Sequence, residues 1–354
     1  MTVMNKDSKI YLAGHDGLVG SAIYRELVKQ GFENIITRKF TELDLKIQAD
    51  TELFFKTEKP EYVFLAAAKV GGILANSTYK ADFIYDNIMI ASNIIHSSWK
   101  YGVKKLVNLG SSCIYPKLAP QPLKEEYLLS GYLEETNDAY AIAKIAAIKM
   151  CNAYNEQYKT NYISAMPTNL YGPGDNFNLE TSHVLPAVLR KMHLGKSLEN
   201  NDWDAIRSNM NKNPIEGIDG SSGENLIIDI LEKYGIKKSG HVSVTLWGDG
   251  SPMREFLYSE DLADAVIFLM KNVNAVDLKH GFLNVGSGVD VSISKLASIV
   301  KVATGFQGEV LWDTAKPNGT PRKLLDVSGL NGFGWGSKTN LDAGIKLLYN
   351  KYVD

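Results

Sequence analysis

Lys9-Ile10-Tyr11-Leu12-Ala13-Gly14-His15-Asp16-Gly17-Leu18-Val19-Gly20 reads as a strand that runs through a glycine turn into a helix. The apolar run is short and breaks at Gly14, and a helical pattern follows to about Lys29. Glycines at 14, 17 and 20 permit a tight turn, close approach of a pyrophosphate and close helix–strand packing. Backbone N–H groups at that helix start favour an anion. A Gly-x-x-Gly-x-x-Gly turn by itself is weak evidence. Between a strand and a helix it favours dinucleotide binding through Gly14, Gly17, Leu18, Val19 and Gly20 over a plain turn.

Outward from that turn, short apolar runs recur at Asn34-Ile35-Ile36, Tyr62-Val63-Phe64-Leu65, Lys105-Leu106-Val107-Asn108-Leu109 and Tyr162-Ile163-Ser164-Ala165-Met166. Helical patterns cover about 81–100 and 139–158. The alternation predicts an α/β protein with a doubly wound parallel sheet and a second, smaller lobe. Residues 1–172 are expected to bind the dinucleotide, with the chain returning to that domain around 255–286. Residues 173–254 and 287–354 are expected to form the substrate-binding lobe. Within it, 199–241 is polar and rich in Asn and Gly around a helical run near 224–233, which reads as a surface excursion.

Composition narrows the class. The 354 residues are 45% apolar and 22% charged, with a formal charge of −2, an ordinary globular balance. That charge gives no reason to expect nucleic acid or an anionic membrane as partner. No stretch approaches the length of a membrane span, and the N-terminal residues lack a signal-peptide core. Cys113 and Cys151 are too few for a disulfide scaffold, so the expected setting is cytoplasmic and reducing.

Several side chains fall where a cofactor or substrate would meet the strand ends. Thr37 and Arg38 occupy the place where an NAD-selective site carries an acid, so a 2′-phosphate fits better; a solvated basic turn is the alternative. Asp44 could flank an adenine, and the small Ala67 and Ala68 let a cofactor lie against the sheet edge. Ser111 follows the strand 105–109. Tyr140 and Lys144, four apart, share a helix face. An ammonium group one turn from a phenol favours the phenolate and is expected to lower the tyrosine pKa.

With these residues assembled, the chain resembles the extended short-chain dehydrogenase/reductase family. The resemblance rests on Leu65–Ile73, Leu109–Lys117, Pro167–Pro173, Trp247–Phe256 and Lys316–Asp326. It implies a Rossmann fold, NADPH as cofactor, and reduction at C4 of a GDP-linked 4-keto-6-deoxy sugar with epimerisation at C3 and C5. Ser111, Tyr140 and Lys144 fall on the catalytic positions, and Cys113 and His183 on the epimerisation pair. Arg38 falls on the 2′-phosphate position, Lys144 on the nicotinamide ribose, and Pro167 and Asn169 on the cofactor side. Asn169, Trp247, Arg254, Lys316 and one of Arg190 and Lys191 are assigned to the sugar nucleotide. No metal site is assigned. The family also implies a homodimer, formed through the helices near 81–100 and 139–158. Two other readings stand beside it: a C4-reductase alone, acting on a GDP-4-keto-6-deoxy-heptose, and an NADP-binding regulatory protein without catalysis.

Overall fold

The computed structural model describes residues 4–316 and 318–354. Residues 1–3, and Pro317 within the stretch Lys316–Asp326, lie outside the described residues, as do the side chains of Ile73 and Leu74. In chain order the first elements are β1 (Ile10–Ala13), α1 (Leu18–Lys29), β2 (Ile35–Ile36), α2 (Gln48–Glu58), β3 (Tyr62–Leu65), α3 (Ile73–Thr78), α4 (Lys80–Lys100) and β4 (Lys105–Leu109). Then come α5 (Asp138–Tyr158), β5 (Tyr162–Pro167), β6 (Asn169–Tyr171), α6 (Val184–Glu199), α7 (Trp203–Lys212), α8 (Glu224–Lys233), β7 (Ile236–Ser239) and β8 (His241–Trp247). The chain ends with β9 (Met253–Tyr258), α9 (Ser259–Asn272), β10 (Phe282–Val285), β11 (Asp290–Ser292), α10 (Ile293–Thr304), β12 (Glu309–Asp313), β13 (Arg322–Lys323), α11 (Ser328–Gly332) and α12 (Leu341–Val353).

The chain forms two compact units. The first holds Met1–Gly174, Glu255–Val289 and Leu324–Thr339. Its six-stranded sheet has the order β10-β5-β4-β3-β1-β2 and every pairing is parallel. Alternate side chains of one strand feed opposite faces. From β1, Ile10 and Leu12 pack under α1 and α9, while Tyr11 and Ala13 pack under α2, α4 and α5. This is the doubly wound sheet that the alternation of elements predicted. The chain leaves β1 in one direction for β2 and returns on the other side for β3, so the crevice for a ligand opens at the C-terminal ends of β1 and β3.

Leu324–Thr339 belongs to this first unit, where the sequence reading put 287–354 in the second. Leu330 and Trp335 enter the core around α9, and the Trp335 indole N–H donates to Asp264 at 2.8 Å. Asp261 accepts from the backbone N–H groups of Lys338 and Thr339.

The second unit holds Asp175–Arg254, Asp290–Lys323 and Asn340–Asp354. Its three-stranded sheet, β12-β8-β7, joins a parallel pair to an antiparallel hairpin. The stretch 199–241 is more regular than expected. It contributes α7, α8 and β7, and it buries Ile206, Met210, Ile215, Ile227, Leu231 and Ile236. Asp202 starts α7 by accepting from the Ala205 N–H at 3.0 Å.

Arg190 on α6 locks this stretch in place. The side chain has no exposed surface. Its guanidinium donates to Asn209 Oδ1 at 3.0 Å, to the Phe177 carbonyl at 3.1 Å, and to the carbonyl of Asn213, which caps the C-terminus of α7. A cation at a helix C-terminus meets the negative end of the helix dipole. Arg190→Leu would leave those acceptors buried without a donor, and stability should fall by about 2–4 kcal/mol. Urea denaturation followed by circular dichroism measures this; an unshifted midpoint would show that the contacts contribute nothing.

Candidate active site

The glycine turn is shaped by the sheet beneath it. Gly14 has φ +81, and a Cβ there would lie 2.7 Å from the backbone of Ala67 in the loop after β3. A Cβ on Gly20 would lie 1.9 Å from the Gly14 carbonyl oxygen. Packing therefore demands glycine at both positions. Gly17 differs, because a Cβ would meet only the Gly14 carbonyl at 3.7 Å, an ordinary contact. Gly17 is exposed and caps α1, which has no side-chain cap and no acid in its first turn. The N–H groups of that turn, with Leu18 and Val19 half-buried beside it, are thus available to an anion. The loop fits a dinucleotide phosphate.

Around the far half of that crevice the charges are held in place. Arg38, just past β2, keeps about a third of its side chain exposed, with 36% relative accessibility. It donates to Glu58 at 2.6 Å and to the Thr37 carbonyl at 2.8 Å, and lies over the Phe54 ring. Two of its five donors are engaged, which leaves capacity for a phosphate. Asp44 accepts from the Lys46 N–H at 3.0 Å. Ala67 and Ala68 are half-buried in the loop after β3. That loop is tied to α4 through Asn87, which accepts from the Lys69 N–H and donates to its carbonyl. Pro167 ends β5 and is buried, and the Asn169 amide donates to the Glu255 carbonyl at 2.8 Å.

The catalytic candidates of the first unit come together where β4 ends against α5. At Gly110 a Cβ would lie 2.2 Å from Met166 Sδ, so a side chain there would have to displace the end of Met166. Ser111 is extended and opens the 3-10 turn Ser112–Ile114, its hydroxyl accepting from the Cys113 N–H at 3.4 Å. That turn buries the Cys113 side chain. Lys144 is buried and donates from Nζ to the Leu109 carbonyl at 2.8 Å. It stands 5.7 Å from the Tyr140 ring centroid. The Phe83 ring meets Tyr140 edge-on at 6.2 Å.

The electrostatics correct one expectation. Burial, rather than Lys144, sets the direction of the Tyr140 shift. Burial, and next the neighbouring Cys113 thiol, push the phenol well above its ordinary range, and the hydrogen bond with Ser111 offsets only part of this. Burial also brings the Lys144 ammonium down to about 8, with Cys113 opposing. Tyr140 is therefore a neutral phenol at pH 7, a proton donor rather than a phenolate.

In the second unit His183 caps α6 and keeps an exposed face. The protein packed around its ring, and next the Lys323 charge, hold the imidazole below the usual histidine range. Trp247 is exposed at the end of β8, and the Lys316 ammonium lies 5.3 Å from its ring centroid. Arg254 is half-buried and donates to its neighbour's carbonyl at 2.7 Å. Of the two basic candidates on α6, Arg190 is excluded as a ligand contact, because it is fully buried and its donors are spent inside the unit. Lys191 is half-buried, donates to the Thr245 carbonyl at 3.1 Å and is pulled down to about 8 by burial.

One basic residue escaped assignment from sequence. Lys323 in β13 pairs in register with Arg254 in β9, which sets two cations side by side. Some 70 residues separate them, and only the strand pairing reveals the pair.

Comparison with known proteins identifies the family. The profile of the NAD dependent epimerase/dehydratase family matches residues 10–208 and 218–286. The chain is 51% identical to putative GDP-L-fucose synthase 2 of Arabidopsis thaliana, over 99% of this chain and 94% of the relative. It is 44% identical to the GDP-L-fucose synthase of Escherichia coli K12, over 98% and 97%. The solved GDP-mannoheptose C4 reductase of Campylobacter jejuni with NADP bound is 43% identical, with a TM-score of 0.87 over 99% of both chains. On this evidence the chain belongs to the NAD-dependent epimerase/dehydratase family, within the extended short-chain dehydrogenases/reductases.

Proposed function

We propose that this protein is an NADPH-dependent enzyme that epimerises a GDP-4-keto-6-deoxy sugar at C3 and C5 and reduces it at C4. The observation that carries the reading is the cluster at the end of β4, in which a neutral, half-buried Tyr140 phenol stands with Ser111 and the buried Lys144 and Cys113. The Gly14–Gly20 turn would hold the NADPH phosphates, and the cofactor when bound would supply a hydride for C4. Ser111 holds the substrate oxygen, and Tyr140 gives its proton to that oxygen as the alcohol forms. Lys144, still cationic at neutral pH, stabilises the phenolate that remains until solvent reprotonates it.

Epimerisation precedes that step. The C–H bonds at C3 and C5 are acidic because they flank the carbonyl. Cys113 as thiolate removes such a proton, and the resulting enolate oxygen accepts from Ser111 and Tyr140. His183 as imidazolium returns a proton to the opposite face, which inverts the carbon. The lowered pKa disfavours the imidazolium at neutral pH, so His183 must gain its proton during turnover before it can act as the acid. The solved GDP-mannoheptose C4 reductase favours a second reading, reduction alone on a heptose. A homodimer in the cytoplasm belongs to the proposal as well. On the α5 surface Ile142, Ala146 and Ala153 are exposed at helical spacing, with Lys149 between the two alanines, a largely apolar face on which a second copy would seat. Light scattering at micromolar concentration should give twice the chain mass; the mass of one chain would count against it.

Cofactor choice rests on Arg38. Arg38→Ala should raise the NADPH dissociation constant about tenfold or more, the worth of a charge-assisted bond, and leave NADH nearly unchanged. Equal losses for both cofactors would remove the 2′-phosphate assignment. The rate of reduction should fall as pH rises through about 8, where Lys144 loses its charge; a flat rate across that range contradicts its role.

Proton exchange separates the two chemistries. In deuterated water without NADPH, the wild type should exchange the C3 or C5 hydrogen of its 4-keto substrate. Cys113→Ser should slow that exchange strongly and spare reduction of an already epimerised sugar, whereas Tyr140→Phe should abolish reduction. Good reduction without any exchange in the wild type would make the protein a reductase only.

A further inference from the structure

Asn137 sits one turn before Tyr140, at the N-cap position of α5, and its side chain does not cap the helix. The Ala141 N–H is bonded to the Asn137 carbonyl, so the backbone there is already helical in its pairing. The side-chain Oδ1 is buried and has no hydrogen-bond partner among the described residues. A buried acceptor without a donor is destabilising, and native proteins keep such atoms where something else supplies the donor. An asparagine at an N-cap ordinarily relieves this by accepting from the second or third N–H of the helix. Here the first turn is served by Asp138, whose carboxylate accepts from the Ala139 N–H at 2.7 Å. Asp138 also binds Lys80 at 3.0 Å, so the helix start is fixed without the Asn137 amide.

The position of that residue relative to the catalytic pair follows from helix spacing. Positions 137, 140 and 144 are spaced i, i+3 and i+7, which places them along one face of α5. That face carries the Tyr140 phenol and the Lys144 ammonium, and Asn137 lies about 4.5 Å further along the axis at 1.5 Å per residue. An amide both accepts and donates, and so matches a hydroxyl, which also does both.

We infer that Asn137 is a substrate-binding residue that hydrogen-bonds a ring hydroxyl of the sugar next to the reacting carbonyl. The inference rests on the proposed sugar-nucleotide chemistry but needs no turnover to be tested. Asn137 accepts the hydroxyl proton at Oδ1, ends its own desolvation, and fixes the rotation of the ring over Tyr140. The sugar hydroxyl contributes affinity that GDP alone lacks.

Calorimetric titration tests this on the full-length chain with NADP present. The wild type should bind a GDP-6-deoxyhexose more tightly than GDP. Asn137→Ala should lose about threefold to tenfold of the sugar ligand's affinity, the worth of one hydrogen bond to a neutral group, and leave the affinity for GDP and for NADP unchanged. Asn137→Ser retains a good N-cap residue, so it separates a helix-start role from ligand binding. An equal loss of the sugar increment in Asn137→Ser supports the inference. A wild-type increment in either variant, or no increment over GDP in the wild type, overturns it. NADPH oxidation by the wild type judges the reductase reading separately, because the binding result does not depend on it.

Discussion

The hydrogen bond from Lys144 Nζ to the Leu109 carbonyl, at 2.8 Å, is the contact on which the proposed chemistry of the first unit depends. It joins the middle of α5 to the last residue of β4. The strand and the turn after it deliver Ser111 and Cys113, and the helix delivers Tyr140, so one bond sets all four groups against each other. Gly110 completes the arrangement by letting the chain pass the Met166 side chain. The same burial that fixes the cluster sets its protonation. It raises the phenol and brings the ammonium down to about 8, which leaves a neutral acid beside a cation at neutral pH. The proposed reduction needs that pairing, since the proton must be present on the phenol when the alkoxide forms.

Elsewhere the fold neutralises buried cations in the same manner, with backbone carbonyls rather than carboxylates. Lys105, in β4, donates to the carbonyls of Leu269 and Met270 at the end of α9, and is brought down to about 8. Arg190 is held by the carbonyls of Phe177 and Asn213. These cations satisfy helix and loop ends that otherwise lack donors. The consequence for function is a division of labour on α6, where Arg190 maintains the second unit and its neighbour Lys191 keeps surface for a ligand.

Much of this was legible in the sequence because it is local. The strand–glycine–helix stretch, the parallel strands and the four-residue spacing of Tyr140 and Lys144 each depend on neighbours in the chain. The direction of the Tyr140 shift was not legible. It depends first on how deeply the folded chain buries the phenol and next on a cysteine that folding brings close. Arg190 and Lys191 are adjacent in sequence, and their opposite fates come from Asn209 and Asn213, remote residues folded over one of them. In 199–241 a usable signal existed: Asp202 as a cap, followed by Trp203, Ile206 and Met210 at helical spacing. The polar residues between them masked it. Leu324–Thr339 gave no such local sign, because its anchors Asp261 and Asp264 lie on α9.

The central claim, that burial keeps Tyr140 a neutral proton donor, is open to direct measurement. The ultraviolet phenolate band can be titrated with pH in the wild type and in Tyr140→Phe, and the difference isolates this one tyrosine. The account predicts that the difference shows no phenolate at neutral pH, and that it ionises only above the ordinary phenol range near pH 10. A Tyr140 ionisation near neutrality would contradict it and restore Lys144 as the group that lowers the phenol's pKa.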